Sequence, residues 1–289
     1  MSENNSSEEN TQEQEEKPFY KIIWHSFFVI PFLIAVFCIL LFAGMHLLTR
    51  ENRSAYDYLE DVKVGGHPKR WQGAFELSKL LSNPKLVPTE ERFSNELINA
   101  FKAAKNDDNR VRQYLALAMG RTGKKEFVEP LISELQEAKD ENVPAMLYAL
   151  GMIGDKAAVA SIKKFLNHSD ARVRSIAVVS LGQIGDPDSL EILKPLLKDS
   201  EPNVQWGAAI SLGKMGDASG KSVIADLLDR NYLAKFPEVD PQEQTQLVLS
   251  AIEVASLLNS SDLNEIVKKL STDDPNANVR TLAYETINR

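Results

Sequence analysis

Residues 170–188 read DARVRSIAVVSLGQIGDPD, and this stretch decides the fold. Val173, Ile176, Ala177, Val178 and Leu181 fall at helical spacing, so the segment buries an apolar stripe. Gly182 and Gly185 then end the helix, because glycine accepts left-handed or close-packed backbone at little cost. Asp186 stands where a side-chain oxygen accepts from the free N–H groups of a following helix. The same pattern recurs on both sides. Val111–Gly120, Asn142–Gly151 and Val204–Gly213 align with Val173–Gly182 without gaps. Gly120, Gly151, Gly182 and Gly213 are each 31 residues apart, and Gly123, Gly154, Gly185 and Gly216 follow them three residues later. An aspartate comes next in three copies, Asp155, Asp186 and Asp217.

Each period is therefore a hairpin of helix A and helix B. Helix B is predicted at Ala158–Phe165, Ser189–Leu197 and Ser222–Leu228. Two short helices cannot bury both of their faces alone, and stacking on neighbours does so, which is the logic of a solenoid. The array extends both ways. Val248–Leu257 and Val279–Arg289 continue it, 31 residues apart. The step from Val204 to Val248 is 44 residues, and the surplus falls at Asp229–Pro241, which reads as a loop-like insertion. Upstream, Trp71–Leu80 is a degenerate first helix A, with its helix B at Phe93–Ala104. The reading predicts an all-α chain: a solenoid of about six hairpins over residues 67–289 plus a terminal single helix as a cap.

The grammar D-x-x-V-R-x-x-A-x-x-x-L-G-x-I-G-D resembles HEAT repeats, specifically the short bacterial type of phycobilin-lyase-like proteins. The resemblance covers about three quarters of the chain, residues 67–289. It implies pairing of the Asp and Arg in this element, which here places Asp108 with Arg112, Asp170 with Arg174 and Asn276 with Arg280. Val143, Gln205 and Leu249 replace the arginine elsewhere and break any continuous ladder. It also implies protein–protein binding or scaffolding, some relatives being lyase subunits.

Ahead of the repeats, Ile22–Leu48 reads IIWHSFFVIPFLIAVFCILLFAGMHLL, and residues 22–49 contain no Asp, Glu, Lys or Arg. About 20 apolar residues at a helical rise span a bilayer core of roughly 30 Å. The stretch is expected to be an uncleaved transmembrane helix rather than a signal peptide, because its leader is acidic and no small-residue cleavage site follows. Residues 1–21 hold six Glu against two Lys, carry half of the net charge of −8, and read as a disordered acidic tail. Residues 50–66 read as a juxtamembrane linker. Lys17 and Lys21 on one flank are outweighed by Arg50, Arg53, Lys63, Lys69 and Arg70 on the other, which places the solenoid on the cytoplasmic side of a bacterial inner membrane.

Chemistry-bearing patterns are sparse. One cysteine, Cys38, excludes a disulfide framework, and His25, His46, His67 and His168 have no metal-ligand spacing. No phosphate loop, nucleophile elbow or zinc-protease motif is present, and Glu90–Glu91 and Asp273–Asp274 read as acidic residues at helix starts. No catalytic residue, cofactor or metal is expected, and the negative charge disfavours a nucleic-acid partner. Lys163, Lys164, Lys194 and Lys198 recur on helices B and read as a solvated face. Candidate partner-binding residues are Trp206, at a position held elsewhere by Gln113, Pro144, Ser175 and Ser250; Tyr232 and Phe236 in the insertion; and Tyr56, Tyr58 and Trp71 beside the membrane. Two readings stand for Trp206 and the insertion, exposed anchor or internal packing. Trp71, with Phe75, reads equally as the core of the N-terminal cap. The expected function is a membrane-anchored, non-enzymatic scaffold binding a protein, in an assembly such as a transporter. The alternatives are a lyase-like chaperone of a prosthetic group and a nucleic-acid-binding solenoid.

Overall fold

The computed structural model describes residues 25–48, 53–137 and 141–288. The acidic tail and residues 49–52 lie outside them. The chain divides into two units, Met1–Arg53 and Ser54–Arg289. In the first, a π-helical turn His25–Val29 leads into α1 (Ile30–Leu48). Phe27–Met45 has a mean hydropathy of 2.9, and none of it is buried. Phe27, Phe32, Phe37 and Phe42 all lie exposed around it.

The second unit is entirely helical among its described residues and forms the expected solenoid. It begins earlier than expected. Residues 55–64, read from sequence as linker, form α2 (Ala55–Val64), whose Leu59 and Val62 are buried against α3 (His67–Leu80). Ser54 and Asp57 cap α2 reciprocally: the Asp57 carboxylate accepts from the Ser54 N–H at 2.8 Å. Its apolar face and its cap were both in the sequence, but its one-and-a-half repeats of pattern are too short to separate from a linker by periodicity.

The A helices are α3, α5 (Asn109–Arg121), α7 (Val143–Ile153), α9 (Ala171–Ile184), α11 (Pro202–Lys214), α14 (Pro241–Leu258) and α16 (Ala277–Ile287). The B helices are α4 (Glu91–Ala103), α6 (Val128–Leu135), α8 (Val159–Lys163), α10 (Leu190–Leu193), α12 (Lys221–Leu227) and α15 (Ser261–Asp273). The middle B helices open on 3₁₀ turns such as Lys156–Ala158 and Ala218–Gly220. Asp155 and Asp217 cap these turns by accepting from Ala157 N–H and Ser219 N–H. Asp186 does not: with Pro187 at the first position its carboxylate instead faces Lys156 at 3.1 Å, correcting the expectation of a third cap.

The glycines do two different jobs. Gly185 has φ 65° and turns the chain out of α9. Gly151 permits contact: a Cβ there would lie 2.8 Å from Ser180 Cα and 2.9 Å from Ser180 Cβ, so α7 and α9 meet backbone to backbone. The buried aliphatics form two clusters, one running from Ala55 to Leu212 and one built around Trp206, Ile252 and Val279. Replacing Gly151 with Val is expected to destabilise the solenoid by about 1–3 kcal/mol through overpacking. Gly185→Ala is expected to cost about 1–2 kcal/mol through backbone strain alone. Urea unfolding followed by circular dichroism measures both.

Candidate partner-binding groove

The site is built by three local devices: an arginine that closes the loop between repeats, an insertion that replaces one such arginine, and a tryptophan that the insertion covers.

The arginine of the V-R element does not pair with the aspartate four residues before it. Asp108 instead pairs with Arg110, which lowers its pKa from 3.8 to about 2, and Asp170 accepts from the Arg172 N–H as a helix cap. Arg112 is 1% exposed, lies over the Phe101 ring at 5.2 Å and donates to Glu134 at 2.5 Å. Arg174 donates to both carboxylate oxygens of Asp199, at 2.8 and 2.9 Å, and to the carbonyl of His168 at 2.8 Å. It thereby ties the loop before its own helix to the loop after helix B, and it holds the Asp199 carboxyl below its ordinary range. Arg280 repeats half of this, donating to the carbonyls of Asp274 and Pro275 rather than to Asn276, which caps α16.

Asp274 is the counterpart of Asp199, six residues before its arginine as Asp199 is six before Gln205. It is 3% exposed and follows the end of α15, so the reading of Asp273–Asp274 as a helix start is corrected. The helix that would supply its arginine has Leu249 instead. Arg230, from the insertion, takes that role and donates to both oxygens of Asp274 at 2.9 and 3.0 Å.

The insertion is thus no open loop. It contains α13 (Arg230–Leu233), buries Leu233 and Val239, and is closed by the Gln244 amide, which donates to the Val239 carbonyl at 3.1 Å. Tyr232 and Phe236 are half-buried against Trp206. The Trp206 and Phe236 rings meet edge to face at 4.9 Å, and the indole N–H donates to the Tyr232 hydroxyl at 3.2 Å. Trp206 is 2% exposed, which agrees with internal packing rather than with an exposed anchor. The ring stands at a polar position of the repeat because the insertion, absent from the other repeats, provides its cover.

The insertion also alters the spacing of the A helices. α11 meets α14 over a much shorter stretch than the neighbouring A helices upstream meet each other. Beside this junction lies a groove of about 360 Å³. Ile176, Val179, Trp206, Ile210 and Leu247 give it an apolar floor, and Arg172, Glu201 and Glu243 stand around it.

Tyr56, Tyr58 and Trp71 lie elsewhere in the second unit. Tyr56 packs edge-on to Phe93 at 5.3 Å, and Trp71 is half-buried with the Arg110 guanidinium 4.5 Å from its ring centre. Tyr58 is half-buried beside the first core cluster. Phe75 is 37% exposed and sits edge-on to Tyr114. Among the helix-B lysines, Lys194 bridges Glu191 and Asp217, while Lys163 and Lys164 are exposed.

Residues 128–202 and 160–234 match the HEAT repeats family. A segment of 122 residues is 31% identical to the bilin biosynthesis protein PecE of Mastigocladus laminosus. That segment is 42% of this chain and 42% of PecE, less than half the length of that relative. The fold is similar to a chain of the CpcE–CpcF complex of phycocyanin lyase from Nostoc sp. PCC7120, with a TM-score of 0.61, 17% identity, and coverage of 83% of this chain and 88% of that one. The expectation that the chain has no enzymatic role is corrected by the 31% identity of this segment to a bilin biosynthesis protein. The alternative read from the sequence, a lyase-like chaperone of a prosthetic group, agrees with the similarity to PecE better than the non-enzymatic scaffold does.

Breaking the insertion's anchor isolates its contribution. Arg230→Ala leaves a buried carboxylate unpaired and is expected to cost about 3–5 kcal/mol. Arg172→Ala, at an exposed pair, is expected to cost less than about 1 kcal/mol. Denaturant unfolding of the two variants checks the difference.

Proposed function

The chain is a HEAT-repeat protein with phycobilin-lyase-like repeats, and on that premise we propose that it is a lyase-related subunit. It works with a protein partner on a bilin-type prosthetic group, and its solenoid binds and orients that partner. The observation that carries this reading is the 31% identity over 122 residues to a bilin biosynthesis protein. The similarity favours a lyase-like role over a scaffold beside a transporter. The chain's own chemistry agrees with a division of labour. Its one cysteine, Cys38, lies in α1, so the solenoid offers no thiol. What it offers is a rigid stack of helices with a groove whose floor is apolar and whose rim is charged.

Purification of the tagged full chain from detergent extracts of its host is expected to yield a protein partner in fixed stoichiometry. Incubation of that complex with a free linear tetrapyrrole is expected to give a bound, spectrally shifted visible absorption band. A complex that forms and leaves the tetrapyrrole spectrum unchanged contradicts the lyase reading.

The reading includes a membrane anchor in a bacterial inner membrane, with the solenoid on the cytoplasmic side. It is supported by the length and apolarity of Phe27–Met45 and by the exposure of its large side chains. Lipid would cover these side chains, which water does not favour. Alkaline carbonate washing is expected to leave the full chain in the membrane pellet and to release a variant lacking residues 25–48. Protease added to spheroplasts is expected to spare the solenoid. Release of the full chain by carbonate contradicts the anchor, and digestion of the solenoid contradicts the orientation.

A further inference from the structure

Gly207 is one of the residues that line the groove beside the insertion. This glycine occupies the repeat position held by Tyr114, Ala145 and Ile176 in the preceding copies. It lies within α11, has no positive φ, and is not needed for close packing. A Cβ there would meet Val178 Cγ1 and Val179 Cγ2 at 3.6 Å and Ser175 Oγ at 3.8 Å, which is ordinary van der Waals contact. Gly213, six residues later in the same helix, differs: its added Cβ would collide with Val254 Cγ1. Glycine inside a helix weakens it relative to alanine. At position 207 a Cβ would fit in ordinary contact, and a longer side chain there would reach into the groove that Gly207 lines.

The surroundings of the groove are specific. The floor is apolar, with Ile176, Val179, Ile210 and Leu247 only partly buried above the sealed Trp206 ring. The rim carries two exposed carboxylates, Glu201 and Glu243. The one cation of the rim, Arg172, stands 3.4 Å from Asp170 and is already matched. The lip is therefore net negative around an apolar floor, which is complementary to apolar side chains flanked by positive charge. The position is also held firmly: Arg230 pins the insertion to Asp274, and the insertion pins Trp206.

We propose that this groove is a docking site for a segment of a partner protein that presents a short apolar cluster flanked by Lys or Arg. It rests on the reading of the solenoid as a partner-binding subunit, and it adds the address and the chemistry of the contact. Its test does not involve a tetrapyrrole, so it can fail while the lyase reading stands.

The purified full chain in detergent is titrated with three fluorescent synthetic peptides sharing a Leu-Phe-Leu core flanked by Lys, by Glu or by Ser. The Lys-flanked peptide is expected to bind at least about tenfold more tightly than either other peptide. Gly207→Leu is expected to abolish that binding with the thermal unfolding curve retained. If Gly207→Leu does not fold, the exposed double variant Glu201→Gln/Glu243→Gln decides, and it is expected to erase the preference for Lys over Ser. No binding of the Lys-flanked peptide, equal binding of the three, or binding unaffected in a folded Gly207→Leu or in the double variant overturns the proposal. Preference for the Glu-flanked peptide overturns it equally and points to Arg172 as the dominant charge.

Discussion

Each hairpin of this solenoid depends on its neighbour to cover one face, and at α5, α7 and α9 the glycine near the end of the A helix sets how close that neighbour comes. At Gly151 the distance is so short that the opposing backbone occupies the space of a Cβ. Ala149, Ser180 and Ser211 are the small residues met at successive junctions, so one contact repeats along the stack. The stripe of Val, Ala and Leu on each A helix follows from that spacing, because long side chains at the junction would hold the helices apart. Hydrophobic burial supplies the driving force, and the glycine contact supplies the register.

The insertion is where the register changes. Gly213 meets Val254 rather than alanine or serine, and α14 is reached only after α13. Two interactions make this break tolerable. Trp206 is buried at this junction and is sealed by Tyr232 and Phe236. Arg230 restores to Asp274 the partner that Leu249 does not provide. A chain that only needed a longer connection would not bury an ion pair and a tryptophan in it. The product is a fixed irregularity on the A-helix face, and the groove lies beside it.

Most of the stack was legible in the sequence because one period recurs in several copies. The repeat located α5, α7, α9, α11, α14 and α16, and the helices B at α4, α8, α10 and α12. Three features were not legible, each for a physical reason. α2 was taken for linker because ten residues give too little periodicity. The arginine partners were misplaced because the pairs join residues 22, 25 and 44 positions apart, and the sequence offers nearer acids. The environment of Trp206 was left open because it depends on a segment 26 residues away whose own fold depends on Arg230. A usable signal did exist: Leu249 removes the arginine while Asp274 keeps the acid, and an acid without its repeat partner asks for a cation from elsewhere.

The central claim is that the A-helix face beside the insertion is the surface this solenoid presents to its partner. Hydrogen–deuterium exchange of the full chain, alone and in its purified complex, tests that most directly. The account predicts slowed exchange on binding in residues 171–179, 201–210 and 241–247, with the helices B of the same repeats unchanged. Protection gained on residues 156–165 and 190–198, with the A-helix segments unaffected, would contradict it.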